Sequence, residues 1–208
     1  MKRQRQGKSG QGRSSATGTR SGGRLRLIGG QFRRRLLPIL DHPGLRPTPD
    51  RMRETLFNWL AFDIKSQTRA LDLFAGTGAL GLEALSRGAG EVHFVEADRQ
   101  VARQIEQNLE TLGVRMPVHQ QSAEQFLTTP PAQPFDLVFL DPPFRQNLMA
   151  ACCQRLSDDG WLCEGALIHV ETEAGLPLEL PNGWHLMRET RAGDSQARLY
   201  RFDRRPSS

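Results

Sequence analysis

A chain of 208 residues, 38% of them hydrophobic, can bury one good core and has room for one main domain with an appendage. No apolar run approaches a membrane span, and the basic, polar start lacks the hydrophobic stretch of a secretory signal, so a cytoplasmic protein without membrane attachment is expected. Residues 1–53 hold 14 of the 28 Lys and Arg but only two of the 23 acids, Asp41 and Asp50; a basic arm on a mildly acidic body suits an enzyme of polyanions.

Residues 1–23 are Gly, Ser, Gln, Arg and Lys with almost nothing apolar, and should be disordered in the free protein. From Arg24 the pattern changes. Arg24-Leu-Arg-Leu-Ile28 and Gln31-Phe-Arg-Arg-Arg-Leu-Leu37 flank Gly29-Gly30, which predicts a two-residue hairpin carrying arginines, Arg33 and Arg34 among them, on its exposed positions. Such a ribbon fits an acidic partner, although solvated arginines on a plain edge hairpin read the same way. A Pro- and Gly-rich loop then leads to Thr48-Pro49-Asp50: an N-cap, a first helical residue and an acid facing the helix dipole. The helix should run to about Ile64, with Met52, Leu56, Trp59 and Leu60 as its apolar stripe and Arg51 and Arg53 elsewhere.

The body alternates strand and helix. Strands are predicted at Arg69–Phe74, Glu91–Glu96, Pro117–Gln120, Phe135–Leu140 and Trp161–Val170. Helices fall at about Ala79–Gly88, Arg99–Leu112 (capped by Asp98 or its neighbour), Ala123–Leu127 and Arg145–Leu156. Trp184–Glu189 and Ala197–Phe202, joined through Gly193-Asp194, read as an antiparallel hairpin. The fold class that follows is α/β, a mostly parallel doubly wound sheet with an antiparallel C-terminal edge. Four segments are expected: a basic tail at 1–23, a hairpin and helix extension at 24–66, the main α/β domain at 67–203 and a short tail at 204–208. Cys152, Cys153 and Cys163 lack the paired spacing of a zinc site and read as buried free thiols in a reducing compartment. No His or Cys spacing suggests a metal.

The stretch Ala70-Leu-Asp-Leu-Phe-Ala-Gly-Thr-Gly-Ala-Leu-Gly81 is a strand, a tight glycine turn and a helix start, the layout of a nucleotide cradle. Gly76-x-Gly78-x-x-Gly81, with Glu96 at the end of the second strand, formally matches a dinucleotide fingerprint, so a nicotinamide or flavin enzyme competes on that motif alone. Two features point elsewhere. Asp72 ahead of the glycines suits a ligand with a positive ammonium, which S-adenosylmethionine has and NAD lacks. The fourth strand then ends in Asp141-Pro142-Pro143-Phe144, at the switch point where open sheets place ligands. Two prolines stiffen that loop and leave its carbonyls as acceptors. An exocyclic amine of a base is a poor nucleophile because its lone pair is delocalised into the ring. Acceptors at Asp141 and the Pro142 carbonyl can hold its hydrogens and turn the lone pair toward an electrophilic methyl, with Phe144 stacked on the ring for about 1–3 kcal/mol.

Asp141-Pro-Pro-Phe144 resembles the (Asp/Asn)-Pro-Pro-(Tyr/Phe) motif of amino-methyltransferases acting on bases, and Asp72-Leu-Phe-Ala-Gly-Thr-Gly78 resembles their S-adenosylmethionine loop. More narrowly, Arg24–Gly30, Leu45-Arg-Pro-Thr48 with Arg51–Leu60, Gly78–Ser86, Gly160-Trp-Leu and Arg198-Leu-Tyr-Arg are similar to the RsmD family of 16S ribosomal RNA guanine-N2 methyltransferases. The resemblance runs from about Arg24 to Phe202. It implies a Rossmann-like class I methyltransferase that uses S-adenosyl-L-methionine, releases S-adenosyl-L-homocysteine and needs no metal. It implies that Phe74, Ala75, Gly76 and Gly78 line the methionine and ribose of the cofactor, with Asp72 near its amino group. Glu96 would take the ribose hydroxyls, Ala97 would lie by the adenine, and Ser122 and Ala123 would sit at its edge, Ser122 standing where many methyltransferases carry an acid. Asp141 to Phe144 would orient a flipped guanine, with Asp141 also reaching the cofactor. Arg33, Arg34, Arg46, Thr48, Arg51, Arg53 and Arg145 would face RNA or border the site. The substrate implied is 16S rRNA in an assembled or assembling small subunit, and the enzyme a monomer. A DNA amino-methyltransferase shares both loops but has little room here for target recognition. A non-catalytic RNA-binding protein would fit the basic arm while leaving Glu96 and Asp141 idle.

Overall fold

The computed structural model describes residues 23–42, 45, 50–142 and 146–204; residues 1–22 of the basic tail, Arg46, Thr48 and Pro143 to Arg145 lie outside the described residues. Two short strands, β1 (Arg24–Arg26) and β2 (Leu36–Pro38), pair antiparallel with Leu25 opposite Leu37. The two-residue turn expected at Gly29-Gly30 is not there. Residues 27–35 form a longer loop closed by Leu27 N–H donating to the Arg35 carbonyl and Arg34 N–H to that of Leu27. The glycines serve a different purpose. At Gly30 a Cβ would fall 1.7 Å from the Ser86 carbonyl oxygen, and φ is +74°. Only glycine allows the loop to lie so close against a helix end.

Helix α1 spans Asp50–Trp59. It stops short of Ile64 because the N–H groups of Asp63 and Ile64 both turn back to the Leu60 carbonyl. The body continues as β3 (Arg69–Asp72), α2 (Ala79–Ser86), β4 (Glu91–Glu96), α3 (Arg99–Leu112), β5 (Val118–Gln120), α4 (Ala123–Phe126), β6 (Phe135–Leu140), α5 (Gln146–Asp158), β7 (Leu162–Glu173), β8 (Trp184–Ala192) and β9 (Ser195–Phe202). Seven strands form one sheet in the order β5-β4-β3-β6-β7-β9-β8. Ladders among β5, β4, β3, β6 and β7 are parallel, and β9 runs antiparallel between β7 and β8. The order reverses between β3 and β6, where a crevice opens at the carboxyl ends of the strands. Strand β7 passes its predicted end at Val170 because its ladder with β9 continues to Glu173 opposite Ser195.

Both faces of the sheet are covered, as near-continuous apolar strands such as Phe135-Asp-Leu-Val-Phe-Leu140 require. One cluster joins Phe57 of α1, Leu82 of α2 and Ile105 of α3 to Phe94, Leu137 and Phe139. The other packs Ala123, Met149 and Leu156 against Leu71, Val138 and Ile168. The hairpin belongs to the first cluster through Leu25, Leu27, Leu37 and Ile39, so it shares the core of the sheet. Cys152 and Cys153 are buried, while Cys163 is half-buried and its thiol donates to Asp136 Oδ1 at 3.2 Å. Among the described residues no helix is long and apolar enough to cross a membrane.

Candidate active site

The cradle is built from β3, the loop after it and the start of α2. Asp72 ends β3 at 2% exposure, and its Oδ2 accepts the Gly81 N–H at 2.9 Å. Gly78 occupies the cap position of α2 in a left-handed conformation and supplies no side chain, so a carboxylate from the neighbouring strand takes the third N–H of the helix instead. Gly81 itself packs on β4; a Cβ there would meet the Phe94 ring at 2.3 Å. The loop is pinned from β4 as well. Glu96 Oε2 accepts from Gly76 N–H at 2.9 Å and Oε1 from Asp98 N–H at 2.8 Å. Glu96 is thus fixed in direction, with lone pairs left for hydroxyl donors.

Three carboxylates converge here. Burial is the main cause that raises the Asp72 pKa to about 7; the Gly81 N–H opposes it, and the nearby charges of Asp141 and Glu96 add to it. A cation placed among them would relieve that repulsion and favour the ionised form. The crevice therefore fits a ligand with a positive amino group beside Asp72 and vicinal hydroxyls at Glu96, the polar groups of S-adenosylmethionine.

The adenine end is less closely built. Ala97 is exposed, Ala123 is buried and Ser122 is half-buried. The Ser122 hydroxyl accepts from Gln125 N–H at 3.2 Å as half of a capping box, so its first duty is to start α4. Phe74 is half-buried against the second cluster, and Ala75 is buried.

Asp141 and Pro142 stand half-buried at the end of β6, next to β3, where the Leu73 N–H donates to the Phe139 carbonyl at 3.2 Å. Pro143, Phe144 and Arg145 lie outside the described residues, as do Arg46 and Thr48. Arg33, Arg34 and Arg51 are exposed. Arg53 is not, and this corrects its expected place on an RNA-facing surface. Its side chain is fully buried, with Nη2 donating to the Arg26 carbonyl at 2.8 Å and to Asp50 Oδ1 at 2.6 Å. Burial lowers its pKa against the pull of Asp50 and Glu83. Arg53 lies one helical turn from Phe57, on the core side of α1, so it ties the helix to the hairpin.

The arm also contributes a wall that the sequence reading did not assign. Ile39, Leu40 and Leu45 face Gly76, Thr77 and Val101 across a groove, with Leu45 Cδ2 3.5 Å from where a Gly76 Cβ would be. His42 Nε2 stands 3.4 Å from Asp98 Oδ2, joining the arm to the cap of α3. No local signal marks these residues. They meet the cradle only because the hairpin packs onto α2 and α3.

The family model described as "Conserved hypothetical protein 95" matches residues 25–201. The chain is 49% identical over 182 residues to the ribosomal RNA small subunit methyltransferase D of Haemophilus influenzae, covering 86% of this chain and 94% of that protein. Among solved structures it resembles a putative methyltransferase, yhhF, from Escherichia coli, with a TM-score of 0.79 and 46% identity over 88% of this chain and 100% of that one. An RNA methyltransferase from Salinibacter ruber in complex with S-adenosyl-L-homocysteine shares the fold at 17% identity, TM-score 0.56, over 78% and 97% of the two chains.

Proposed function

The chain belongs to the ribosomal RNA small subunit methyltransferase D family, and from that premise we propose that this rRNA methyltransferase acts on the exocyclic N2 of one guanine in 16S rRNA, within an assembled or assembling small subunit. The observation that carries the reading is the meeting of Asp72, Glu96 and Asp141 at the carboxyl ends of three adjacent strands. Such an arrangement would suit a methyl donor and an amine acceptor on either side of one crevice.

S-adenosylmethionine, when bound, supplies a methyl group on a sulfonium sulfur. The protein's own part is positioning and electrostatics. Glu96, held by two N–H donors, orients the ribose hydroxyls, and Asp72 receives the ammonium. Asp141 and the Pro142 carbonyl accept the two hydrogens of the guanine amine, which turns its lone pair out of conjugation and along the line of attack. Loss of a proton from the alkylated nitrogen is easy, so Asp141 need not be a strong base. Phe144 stacks on the flipped ring, and Arg33, Arg34 and Arg51 meet phosphates, which supply affinity without sequence information. The protein works as a monomer in the cytoplasm, where its substrate is made.

The test is incubation with labelled S-adenosylmethionine and small subunits from cells lacking this gene, followed by digestion of the RNA. N2-methylguanosine at one site is the expected product, with little label on duplex DNA and less on protein-free 16S RNA than on subunits. Label in adenine or cytosine would overturn the guanine assignment.

A further inference from the structure

We infer that Glu171 makes the site specific for guanine: its carboxylate accepts the N1–H of the target base while Asp141 and Pro142 hold the amine. This rests on the guanine reading above.

Placement comes from the sheet. Strands β6 and β7 are parallel, with Phe139 paired to His169 and Leu140 to Val170. One residue further, Asp141 and Glu171 follow on the same side, because side chains alternate with a period of two. That side is the one covered by α1: the Phe139 ring is 5.9 Å from Phe57 and meets the edge of His169 at 6.2 Å. Glu171 is only 8% exposed. Its neighbour across the β7–β9 ladder is Ala197, a small residue. Directly below on the same face, His169 is 1% exposed and its Nδ1 has no hydrogen-bond partner among the described residues. A polar strip of Asp141, His169 and Glu171 therefore lines the base side of the crevice, on a face otherwise filled by Leu137, Phe139, Leu167 and Leu199.

An acceptor beside Asp141 discriminates among bases by their pairing edges. Guanine presents N1–H next to its amine, whereas adenine and cytosine present a ring nitrogen lone pair there. A loop that holds an amine accepts all three. A carboxylate facing the adjacent ring position attracts the N1–H of guanine and repels the lone pair of the others, and a buried polar group left unmatched makes such discrimination large.

The test replaces the target guanine by 2-aminopurine in reconstituted small subunits. This base keeps the amine and exchanges N1–H for a lone pair. The wild-type protein is expected to favour guanine at least a hundredfold in kcat/KM. Glu171→Gln, whose amide can donate to the lone pair, should bring the ratio to within about tenfold in protein that is folded by circular dichroism and keeps its cofactor affinity. Glu171→Asp, which keeps the charge, should preserve the preference at reduced kcat/KM. A wild-type ratio near one, or an unaltered ratio in folded Glu171→Gln, would overturn the inference while leaving guanine methylation intact. Absence of N2-methylguanosine from the wild-type reaction would overturn the guanine reading itself.

Discussion

The two sides of the crevice are made differently. On the side proposed for the cofactor each carboxylate is held by backbone donors: Asp72 by Gly81 nine residues on, and Glu96 by Asp98 two residues on and by Gly76 across the β3–β4 pair. On the base side, Asp141 and Glu171 come together only through the pairing of β6 with β7, and the face they share is closed by a helix from the N-terminal arm. The first side is set by two turns and the pairing of neighbouring strands β3 and β4, and can be stiff before any ligand arrives. The second depends on long-range packing, and there a substitution can alter selectivity without touching the cofactor.

The largest effect expected is on the base side. Asp141→Ala should lower single-turnover methyl transfer about a thousandfold while the cofactor dissociation constant stays within about threefold. Asp141→Asn, which keeps one acceptor, should lose less. Turnover like that of the wild type would remove Asp141 from the mechanism and erase the contrast. The arm that closes this side offers the next test, in two arginines of one helix. Arg53→Ala should cost about 2 kcal/mol in denaturant unfolding, because it empties a fully buried side-chain site and strips the donor from the Arg26 carbonyl, while Asp50 stays exposed to solvent. Arg51→Ala should leave stability within about 0.5 kcal/mol and weaken binding to small subunits, reducing the slope of log affinity against log salt by about one. Equal stability losses would contradict the division into a buried tie and an exposed phosphate contact.

On the cofactor side, Glu96→Ala should weaken cofactor binding about thirtyfold by calorimetry, with kcat near wild type once cofactor is saturating. Asp72 gives the smallest effect on cofactor affinity and the most diagnostic one. With its carboxyl pKa raised to about 7, the native state holds a proton that the unfolded chain has released above about 4. Stability should therefore fall as pH rises from about 4 to 7, and Asp72→Asn should flatten that slope. A bound ammonium favours the ionised form, so cofactor affinity should rise about tenfold between pH 6 and 8. A flat profile in the wild type would mean that Asp72 does not sense the ligand's charge.

The same division explains what could be read from the sequence. Glu96, Asp72 and the glycine turn are legible because their partners follow at spacings that a strand, a turn and a helix dictate. The alternation from Arg69 to Leu156 gives the parallel sheet for the same reason. The hairpin misleads because Gly29-Gly30 imitates a tight turn, whereas its glycines answer to Ser86, far along the chain. Arg53 misleads because a guanidinium is ordinarily exposed, and only the tertiary placement of the Arg26 carbonyl, added to Asp50 one turn earlier in the same helix, makes its burial tolerable. The wall of Ile39, Leu40 and Leu45 and the position of Glu171 leave no local mark. Each depends on which distant segment packs beside it.

Helix α2 carries one further consequence. Its first residues form the cradle. At its other end Glu83 accepts the N–H groups of Ile28 and Gly29 at 2.8 Å each while paired to Arg87, and Gln31 N–H reaches the Ser86 carbonyl at 2.7 Å. All eight residues of the helix are buried. A rod of that size is about 12 Å long and does not bend easily. The arginine loop and the glycine cradle are therefore held apart by a fixed gauge. If, as proposed, the arm grips RNA and the cradle holds the methyl donor, the distance between them is set in advance, and the conformational adjustment that brings the reacting nitrogen into line falls to the RNA.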